Sequence, residues 1–454
     1  MKALTAQQVA SIIGATLVAG DAAAWADAGV CTDTRKLVKG CVFFALKGEN
    51  FDANAFAEQA LQQGAAVVVV SHWSGAMAHG GAVLLVDDTL AALQQLAAWW
   101  RTQLDLHVVG LTGSNGKTST KDMTAAVLAQ RFATLATKGN LNNHIGLPLT
   151  VLATREDHQA AVYEMGMNHA GEIAPLAAIA RPHIAIITNI GSSHIEFLGS
   201  RENIAREKAT IAAQLTPDDI LVLPHDCDFL PLITSLTAAR IMTTGGAQDV
   251  VQAHDVREDE GCMRFVLDIA GDRADVTLPV SGRHMVANAL LAAAAGHLCG
   301  LDAATIARGL AQASLTSGRL RRFVSGDITV FDDTYNANPE SMIAGLRTLA
   351  AQPVADGARR FAVLGRMGEL GEHAAEGGQR VGTCAAQLPL ITITAGDEAD
   401  LISRHAGSAA QHFATREEAA AYLSAELRAG DVVLFKGSRT AAMERVMKQI
   451  FPND

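Results

Sequence analysis

Short apolar runs and helix-like stretches alternate along most of the chain. Runs of four to six apolar residues bounded by glycine and polar residues predict strands, and apolar residues three or four positions apart predict helices. The predicted strands are 42–45, 67–70, 83–86, 107–111, 161–165, 184–189, 329–332, 360–364, 390–394 and 431–435. Helices are predicted at 89–103 and 285–298. This order is typical of an α/β fold with mostly parallel sheets.

The elements group into three predicted domains, for which 454 residues are sufficient. Residues 1–87 are predicted to form a small α/β module, and residues 88–318 a central domain with a phosphate-binding loop (P-loop) and a mostly parallel sheet. Residues 319–454 are predicted to form a Rossmann-like C-terminal domain. Within the central domain, the stretch 224–280 alternates like an antiparallel sheet.

Composition excludes several classes of protein. The formal net charge is -11 and the basic residues are scattered, so we expect no nucleic-acid partner. The six cysteines lie far apart in the sequence, which predicts reduced, packed thiols rather than a zinc site or disulfides. No run of about 18 apolar residues is present, so we expect a cytoplasmic protein without membrane insertion.

The segment TGSNGKTST lies between a predicted strand and a predicted helix, as a phosphate-binding loop does. Its backbone N–H groups suit phosphate oxygens, Lys117 suits the β- and γ-phosphates, and the Thr118 hydroxyl suits Mg²⁺. Leu111 stands where the strict motif has glycine, and a glycine-rich turn with a chance lysine is the alternative. The candidate nucleotide-binding residues of this segment are Thr112, Gly113, Ser114, Asn115, Gly116, Lys117, Thr118 and Ser119.

Two further polar residues are predicted at the ends of neighbouring strands. Glu164 is expected to be exposed at the carboxyl edge of the sheet, and His194 follows the next strand. Either side chain alone is more often structural. Together, beside a phosphate loop, they predict metal binding for phosphoryl transfer, with Mg²⁺ at Glu164 and a second metal position at His194.

Six segments together carry a resemblance to a known family. They are TGSNGKT, GNLNNHIGLP, EMGMNHAGEI, SSHIE with the following IAREKATI, HMVANALLAAAA, and DDTYNANPESM. The chain resembles the peptidoglycan amide ligases nearly end to end, from CTDTRK and ALKGENFD to VVLFKGSRTAAME. One departure is Arg366, at a position where the family commonly has an acidic residue.

The resemblance implies an ATP- and Mg²⁺-dependent ligase that phosphorylates a carboxylate and then joins it to an amine. The segment DDTYNANPES favours D-alanyl-D-alanine and UDP-N-acetylmuramoyl-tripeptide as small-molecule substrates, and we expect a monomer. Two alternatives stay open at this point. One is a related carboxylate-amine ligase of the folylpolyglutamate synthase type, and the other is a regulatory ATPase that makes no bond.

The resemblance also implies residue roles at the nucleotide. It assigns catalytic roles to Lys117, Lys208, His194 and Arg319. It assigns metal binding to Thr118, Glu164, His194 and Lys208, with Lys208 carried as a carbamate. Asn288 corresponds to an adenine-contacting residue, Arg319 to an arginine that reaches the γ-phosphate, and Asp333 to a ribose-binding acid.

The remaining implied roles concern the carbohydrate-nucleotide substrate. Asn142 and Asn143 match the segment that faces the muramyl peptide, and Thr34, Arg35 and Lys47 match positions associated with the uridine nucleotide. Bland alternatives remain for four residues. Asn288 could be a core amide, Arg319 part of a solvated basic turn with Arg321 and Arg322, and Lys208 a surface lysine paired with Glu207 or Glu202. For Asp333, the neighbouring Asp332 leaves the register open.

Overall fold

The computed structural model describes residues 1–75 and 80–452. They form three α/β domains arranged around three main sheets, and this confirms the predicted fold class. One continuous apolar core extends from the first sheet through the central sheet into the third, and a second core lies on the far face of the third sheet.

The N-terminal domain is built on a five-stranded sheet. Its strands and helices are β1 (Leu4–Thr5), α1 (Ala6–Ile13), β2 (Thr16–Gly20), β3 (Trp25–Ala26), β4 (Val30–Cys31), β5 (Val42–Phe44), α2 (Ala57–Gln62), β6 (Val67–Val70) and β7 (Ala82–Leu85). The sheet order is β2-β7-β6-β5-β4, parallel except for β2, and β1 pairs with β3 separately. Single turns of 3-10 helix cover Thr34–Lys36 and Ala53–Phe56.

The central domain begins with α3 (Thr89–Thr102) and contains a nine-stranded sheet. Its first half comprises β8 (His107–Thr112), α4 (Lys117–Leu128), β9 (Thr134–Ala136), α5 (Gly146–Ala153), β10 (Ala160–Glu164), α6 (Ile173–Ala180), β11 (Ile184–Ile187), α7 (Ile195–Leu198) and α8 (Arg201–Ala209). Its second half comprises β12 (Ile220–Pro224), α9 (Leu230–Thr234), β13 (Arg240–Thr244), β14 (Val251–Asp259), β15 (Cys262–Ile269), β16 (Asp272–Leu278), α10 (Arg283–Leu298) and α11 (Ala303–Ala311).

The order of this sheet is β16-β15-β14-β13-β12-β11-β8-β10-β9. Strands β8 to β13 are parallel, and β13 also pairs with β14 in parallel. The predicted antiparallel pairing in 224–280 is confirmed only for β14, β15 and β16, because the first part of that stretch forms α9 and the parallel strand β13. Strands β10 and β11 are buried on both faces because helices cover both sides of the sheet. Their carboxyl ends therefore form one edge that is open to ligands.

The C-terminal domain has a six-stranded sheet. Its elements are β17 (Arg321–Ser325), β18 (Ile328–Asp333), α12 (Pro339–Ala351), β19 (Arg360–Leu364), α13 (Ala374–Ala386), β20 (Ile391–Ala395), α14 (Asp400–Ser403), β21 (Gln411–Phe413), α15 (Arg416–Glu426), β22 (Val432–Lys436) and α16 (Glu444–Ile450). The order is β17-β18-β22-β19-β20-β21. All neighbours are parallel except the hairpin β17–β18, which the sequence pattern did not predict.

Two features of the structure concern the predictions made from composition. All six cysteines are free; Cys41 and Cys299 are buried as predicted, whereas the other four are only partly buried. Within 1–75 and 80–452, none of the helices combines the length and the apolar character needed to cross a membrane.

Helix α4, which follows the phosphate loop, packs against α10 and α11. Its contact with α11 is very close at Gly309, where an added Cβ would lie 2.5 Å from the Cα of Val127. The backbones of the two helices touch here, so no side chain fits between them.

We therefore expect Gly309→Ala to lower the thermal unfolding midpoint. Alanine improves helix propensity by about 1 kcal/mol, but overpacking of this kind costs about 1–3 kcal/mol, and the steric cost is the larger. Gly48→Ala is the control, because its Cβ would meet Phe51 O at an ordinary 3.8 Å. Equal midpoints for the two variants would contradict this account of the packing.

Candidate active site

A cavity of about 590 Å³ lies between the central and C-terminal sheets. It is located at the carboxyl ends of β8, β10 and β11, where open α/β sheets bind ligands. Both domains line it. The sequence-predicted residues found there are Ser114, Asn115, Gly116, Lys117, Ser119, Asn142, Asn143, Glu164, His194, Asn288, Arg319 and Asp333.

At two positions, the loop between β8 and α4 approaches its neighbours so closely that only glycine fits. Gly113 has φ 154°, and a Cβ there would lie 1.8 Å from Oγ1 of Thr188. Gly116 has φ 76°, and its Cβ would lie 2.5 Å from Oδ1 of Asn288. The twelve-residue helix α4 begins immediately afterwards, so its free N–H groups and dipole favour an anion at the loop.

Backbone and side-chain hydrogen bonds hold this loop in shape. The backbone N–H of Ser114 donates to the carbonyl of Asn189 (3.0 Å), and that of Asn115 donates to Oδ1 of Asn189 (2.9 Å). Gly191 N donates to the hydroxyl of Ser114 (2.8 Å). Lys117 Nζ donates to the carbonyl of Gly113 (2.7 Å), so its ammonium lies over the loop where phosphates would bind.

The predicted exposure of Glu164 is wrong. Glu164 ends β10 at the expected edge, but it is only 1% exposed. Asn142 Nδ2 donates to Oε1 of Glu164 (2.8 Å). The other carboxylate oxygen, Oε2, is buried and has no hydrogen-bond partner in the described part of the chain.

A buried, unpaired carboxylate oxygen beside a phosphate loop fits a divalent cation such as Mg²⁺. Thr118, at the start of α4, is also buried. No group of three His, Cys, Asp or Glu side chains converges as a complete metal cage among residues 1–75 and 80–452. A magnesium ion at Glu164 would therefore take oxygen ligands from phosphates and water, as Mg²⁺ at nucleotides generally does.

His194 lies opposite Glu369 from the C-terminal domain. Its Nδ1 is 2.6 Å from Oε2 of Glu369, although the two groups are not aligned as a hydrogen bond. Burial lowers the pKa of His194, and the Glu369 carboxylate opposes this only in part. The imidazole is therefore neutral at pH 7, which is the form that can bind a metal.

Lys208 is buried inside the central domain, with 1% of its surface exposed. Burial is the main cause that lowers its pKa well below the ordinary lysine value, and the ammonium of Lys117 lowers it further. Glu207 instead accepts hydrogen bonds from Gly171 N and Ile173 N. The surface-lysine alternative is therefore wrong, and Glu202 pairs with Arg206.

The C-terminal domain contributes a second cationic group to the cavity. The guanidinium carbon of Arg319 lies 4.3 Å from the centre of the Tyr335 ring, a cation–π contact. Its Nε is buried and has no hydrogen-bond partner within the described residues. Arg321 and Arg322 lie on strand β17, so the solvated basic turn is not what the structure shows.

Asp333 is the acid that faces the cavity, which settles the register. Its Oδ2 lies 2.6 Å from Nζ of Lys436, whereas Asp332 is buried and accepts hydrogen bonds from Thr334. Asn288, on α10, is buried beside Gly116 and lines the same cavity. Its amide therefore faces the phosphate loop rather than an apolar core.

The predicted substrate residues fall into two groups. Asn142 and Asn143 line the cavity, and Oδ1 of Asn143 accepts hydrogen bonds from the first backbone N–H groups of α5. Thr34, Arg35 and Lys47 belong to the N-terminal domain, and the cavity lining in the described chain does not include them. Arg35 pairs with Asp33 at the surface.

Sequence reasoning missed the residues by which the C-terminal domain contacts the phosphate loop. Asn338 Nδ2 donates to Oδ1 of Asn115 (2.7 Å) and to the hydroxyl of Ser193. Glu340 Oε2 accepts hydrogen bonds from the backbone N–H (3.2 Å) and hydroxyl (2.8 Å) of Ser192. These contacts hold the first turn of α12 against the phosphate loop and against the segment between β11 and α7.

His284 and Glu369 were also missed, although each lies in a segment used for the family resemblance or directly after a predicted strand. His284 stands at the start of α10 and lines the cavity near Asp333 and Lys436. Glu369 lies in the loop that follows β19, whereas Glu164 is the last residue of β10. The rule that polar residues gather at strand ends could have identified Glu369.

Two family models match the chain: Mur ligase middle domain at residues 111–296, and Mur ligase, glutamate ligase domain at residues 318–439. A protein named UDP-N-acetylmuramoyl-tripeptide–D-alanyl-D-alanine ligase from Bacillus subtilis is 37% identical, over 93% of this chain and 93% of its own length.

Solved structures agree with the sequence matches. A crystal structure of MurF from Acinetobacter baumannii superposes with a TM-score of 0.91 at 33% identity, covering 100% of both chains. The structure of MurF ligase from Thermotoga maritima in complex with ADP superposes with a TM-score of 0.84 at 28% identity, covering 93% of this chain and 96% of the other.

The environment of His284 predicts how stability depends on pH. Burial lowers its pKa to about 4, the nearby Asp333 opposes this, and Lys436 adds to it. In the unfolded chain the pKa of the imidazole is about 6.5. Between these values the unfolded state binds more protons than the folded state, so the free energy of unfolding falls as pH falls from about 6.5 to about 4.

We expect His284→Gln to remove this part of the acid sensitivity, worth on the order of 2 kcal/mol for a partly accessible group. Urea unfolding of wild type and variant at pH 4.5, 5.5, 6.5 and 7.5 measures it. The advantage of the wild type over the variant should shrink as pH decreases. A difference that stays constant across these pH values would rule out a neutral, buried His284.

Proposed function

The chain belongs to the Mur ligase family, and from this membership we propose that it joins D-alanyl-D-alanine to UDP-N-acetylmuramoyl-tripeptide using ATP. Members of this family are ATP-dependent peptide ligases, and the chain is one of them. The observation that carries the proposed substrates is the match over 93% of both chains to a curated ligase of that name, which includes the N-terminal domain.

The proposed reaction has two steps. A carboxylate oxygen of the tripeptide forms a bond to the γ-phosphorus of ATP, the bond from that phosphorus to the β-γ bridging oxygen breaks, and ADP leaves. The amine of D-alanyl-D-alanine then forms a bond to the acyl carbon and loses a proton, while the carbon–oxygen bond to phosphate breaks. The carboxylate thus gains a good leaving group before the amine attacks.

The cavity supports this chemistry because cations surround the place where phosphate charge changes. Lys117 lies over the loop, and Arg319 approaches from the C-terminal domain. We assign Lys117 to the β- and γ-phosphates and Arg319 to the γ-phosphate. Fixed cations of this kind stabilise charge that moves between oxygens during transfer.

Mg²⁺ is the metal that the family uses with ATP, and when bound it neutralises phosphate oxygens that would otherwise repel the attacking carboxylate. We assign Thr118 and Glu164 to Mg²⁺ at the nucleotide, and His194 and Lys208 as a carbamate to a second metal position. The unpaired Oε2 of Glu164 and the neutral imidazole of His194 support this set.

The other assigned roles follow from the family resemblance. We assign Asn288 to the adenine and Asp333 to the ribose, with Lys436 as the present partner of Asp333. Asn142 and Asn143 are assigned to the muramyl peptide, and Thr34, Arg35 and Lys47 to the uridine nucleotide. The proposed domain limits are 1–87 for the uridine nucleotide, 88–318 for ATP, and 319–454 for the amino substrate, in a cytoplasmic monomer.

Dependence of phosphate release on substrates tests the proposal. Purified protein with ATP and Mg²⁺ should release phosphate only when both D-alanyl-D-alanine and UDP-N-acetylmuramoyl-tripeptide are present. Two tripeptide substrates should be tried, one containing diaminopimelate and one containing lysine. Mass spectrometry should detect the pentapeptide product with at least one of them. Phosphate release without the amine would favour a regulatory ATPase, and ligation of glutamate to a folate would favour the other ligase class.

We expect Lys117→Ala to lower ligation on the order of a hundredfold or more, because a fixed cation at the transferring phosphoryl group is lost. Binding of the uridine nucleotide substrate, measured by calorimetry, should stay unchanged. Lys448→Ala, which removes an exposed lysine at the end of α16, serves as the control and should keep wild-type rates. If Lys117→Ala released ADP at the wild-type rate, the phosphate-loop assignment would be contradicted.

Lys208→Ala should also lose most ligase activity, and a small carboxylic acid such as acetate should restore part of it. The buried position and lowered pKa of Lys208 favour the neutral amine, whose nitrogen forms a bond to carbon dioxide with loss of one proton. Removal of dissolved carbonate should weaken the wild type. Arg206→Ala on the same helix is the control, and normal kinetics for Lys208→Ala would end the carbamate hypothesis.

A further inference from the structure

Arg319 lies in a short linker between α11 of the central domain and β17 of the C-terminal domain. The linker is attached to the central domain through Thr316. Both the backbone N–H and the hydroxyl of Thr316 donate to Oδ2 of Asp122, each at 2.9 Å. Asp122 lies on α4, the helix that begins at the phosphate loop.

Asp122 is itself held in place. Its Oδ1 lies 2.6 Å from Nζ of Lys121, and the two side chains are only 12% and 4% exposed. Lys121 Nζ also donates to the carbonyl of Thr137 (2.9 Å). A carboxylate with both oxygens engaged and little access to water is a rigid anchor.

The other side of Arg319 is attached to the C-terminal domain. Leu320 N donates to Oδ1 of Asp333 (3.2 Å), and Tyr335 N donates to the carbonyl of Gly318 (3.2 Å). Leu320 has φ 53°, a conformation that costs free energy for a residue with a side chain. The linker keeps this strained turn because both of its ends are fixed.

We propose that Asp122 is a positioning residue for Arg319: by binding Thr316, it connects the phosphate-loop helix to the linker and holds the guanidinium at the γ-phosphate end of the cavity. This rests on the proposed role of Arg319. Asp122 does not line the cavity in the described chain, so it acts through the linker rather than by touching ATP.

Binding of two nucleotides separates this role from general stability. Calorimetry with Mg²⁺ measures affinities for ADP and for the β,γ-imido analogue of ATP, and the ratio of the two reports contact with the γ-phosphate. Asp122→Ala should lower the preference for the ATP analogue about tenfold, the size of a lost charge-assisted hydrogen bond. Affinity for ADP should change less than about twofold, because the loop itself is intact.

Thr316→Val provides a variant that keeps the Lys121–Asp122 pair and so avoids a buried, unpaired lysine. It removes one of the two donors to Asp122, and its preference for the ATP analogue should fall about threefold, while Thr316→Ser should keep the wild-type ratio. Asp302→Ala is the matched control. Asp302 also accepts a hydrogen bond from a threonine N–H in this domain, at 2.8 Å from Thr305, but at the start of α11.

Combination with Arg319→Ala completes the test. If Asp122 acts through Arg319, Asp122→Ala should cause no further loss in the Arg319→Ala background. A wild-type ratio in both Asp122→Ala and Thr316→Val, or a loss that adds fully to that of Arg319→Ala, would overturn the inference. A wild-type ratio in Arg319→Ala would instead refute the proposed role of Arg319, and the positioning role with it.

Discussion

The close contact of the phosphate loop with its neighbours is the constraint on which the rest of the site depends. The loop can present backbone N–H groups to an anion because Gly113 and Gly116 pass against Thr188 and Asn288 without a side chain between them. Thr188 directly follows β11 and Asn288 lies on α10, so this close approach depends on the positions of β11 and α10 relative to the loop. The central sheet, the two helices that flank α4 and the nucleotide cavity are therefore parts of one packing arrangement.

The second constraint is charge in a confined space. Burial lowers the pKa values of both Lys117 and Lys208; Arg319 lowers that of Lys117 further, and Lys117 lowers that of Lys208 further. In the described part of the chain, the unpaired Glu164 oxygen faces the same region. Burial disfavours charged groups unless they are paired. A magnesium nucleotide supplies both kinds of partner, phosphate oxygens for the lysine and a cation for the carboxylate.

Local patterns predicted a large part of this molecule. Buried strands such as 67–70 and 360–364 were predicted with the observed limits, because apolar runs between turns depend on near neighbours in the chain. The predicted ends of two other strands then indicated where Glu164 and the loop before Lys117 lie. The hairpin β17–β18 was not predicted, since its first strand is arginine-rich and takes its register from the partner strand.

Residues that act across domains could not be identified in the same way. Asn338 meets Asn115 across 223 positions, and Thr316 meets Asp122 across 194. Nothing in the local pattern of hydrophobic and polar residues distinguishes these side chains from ordinary helix caps or surface acids. Asn338 is in fact also the N-cap of α12, where it accepts a hydrogen bond from Ser341 N.

The two groups of contacts between the central and C-terminal domains have different consequences for the site. The linker contact joins Thr316 to Asp122. Because Thr316 lies shortly before Arg319 in the chain, this contact fixes the position of the Arg319 backbone. The contacts of Asn338 and Glu340 fix how closely α12 approaches the phosphate loop. A rigid domain attached at two separate places cannot rotate freely about either one. The two groups of contacts therefore fix the positions of Arg319 and Asp333 relative to the phosphate loop.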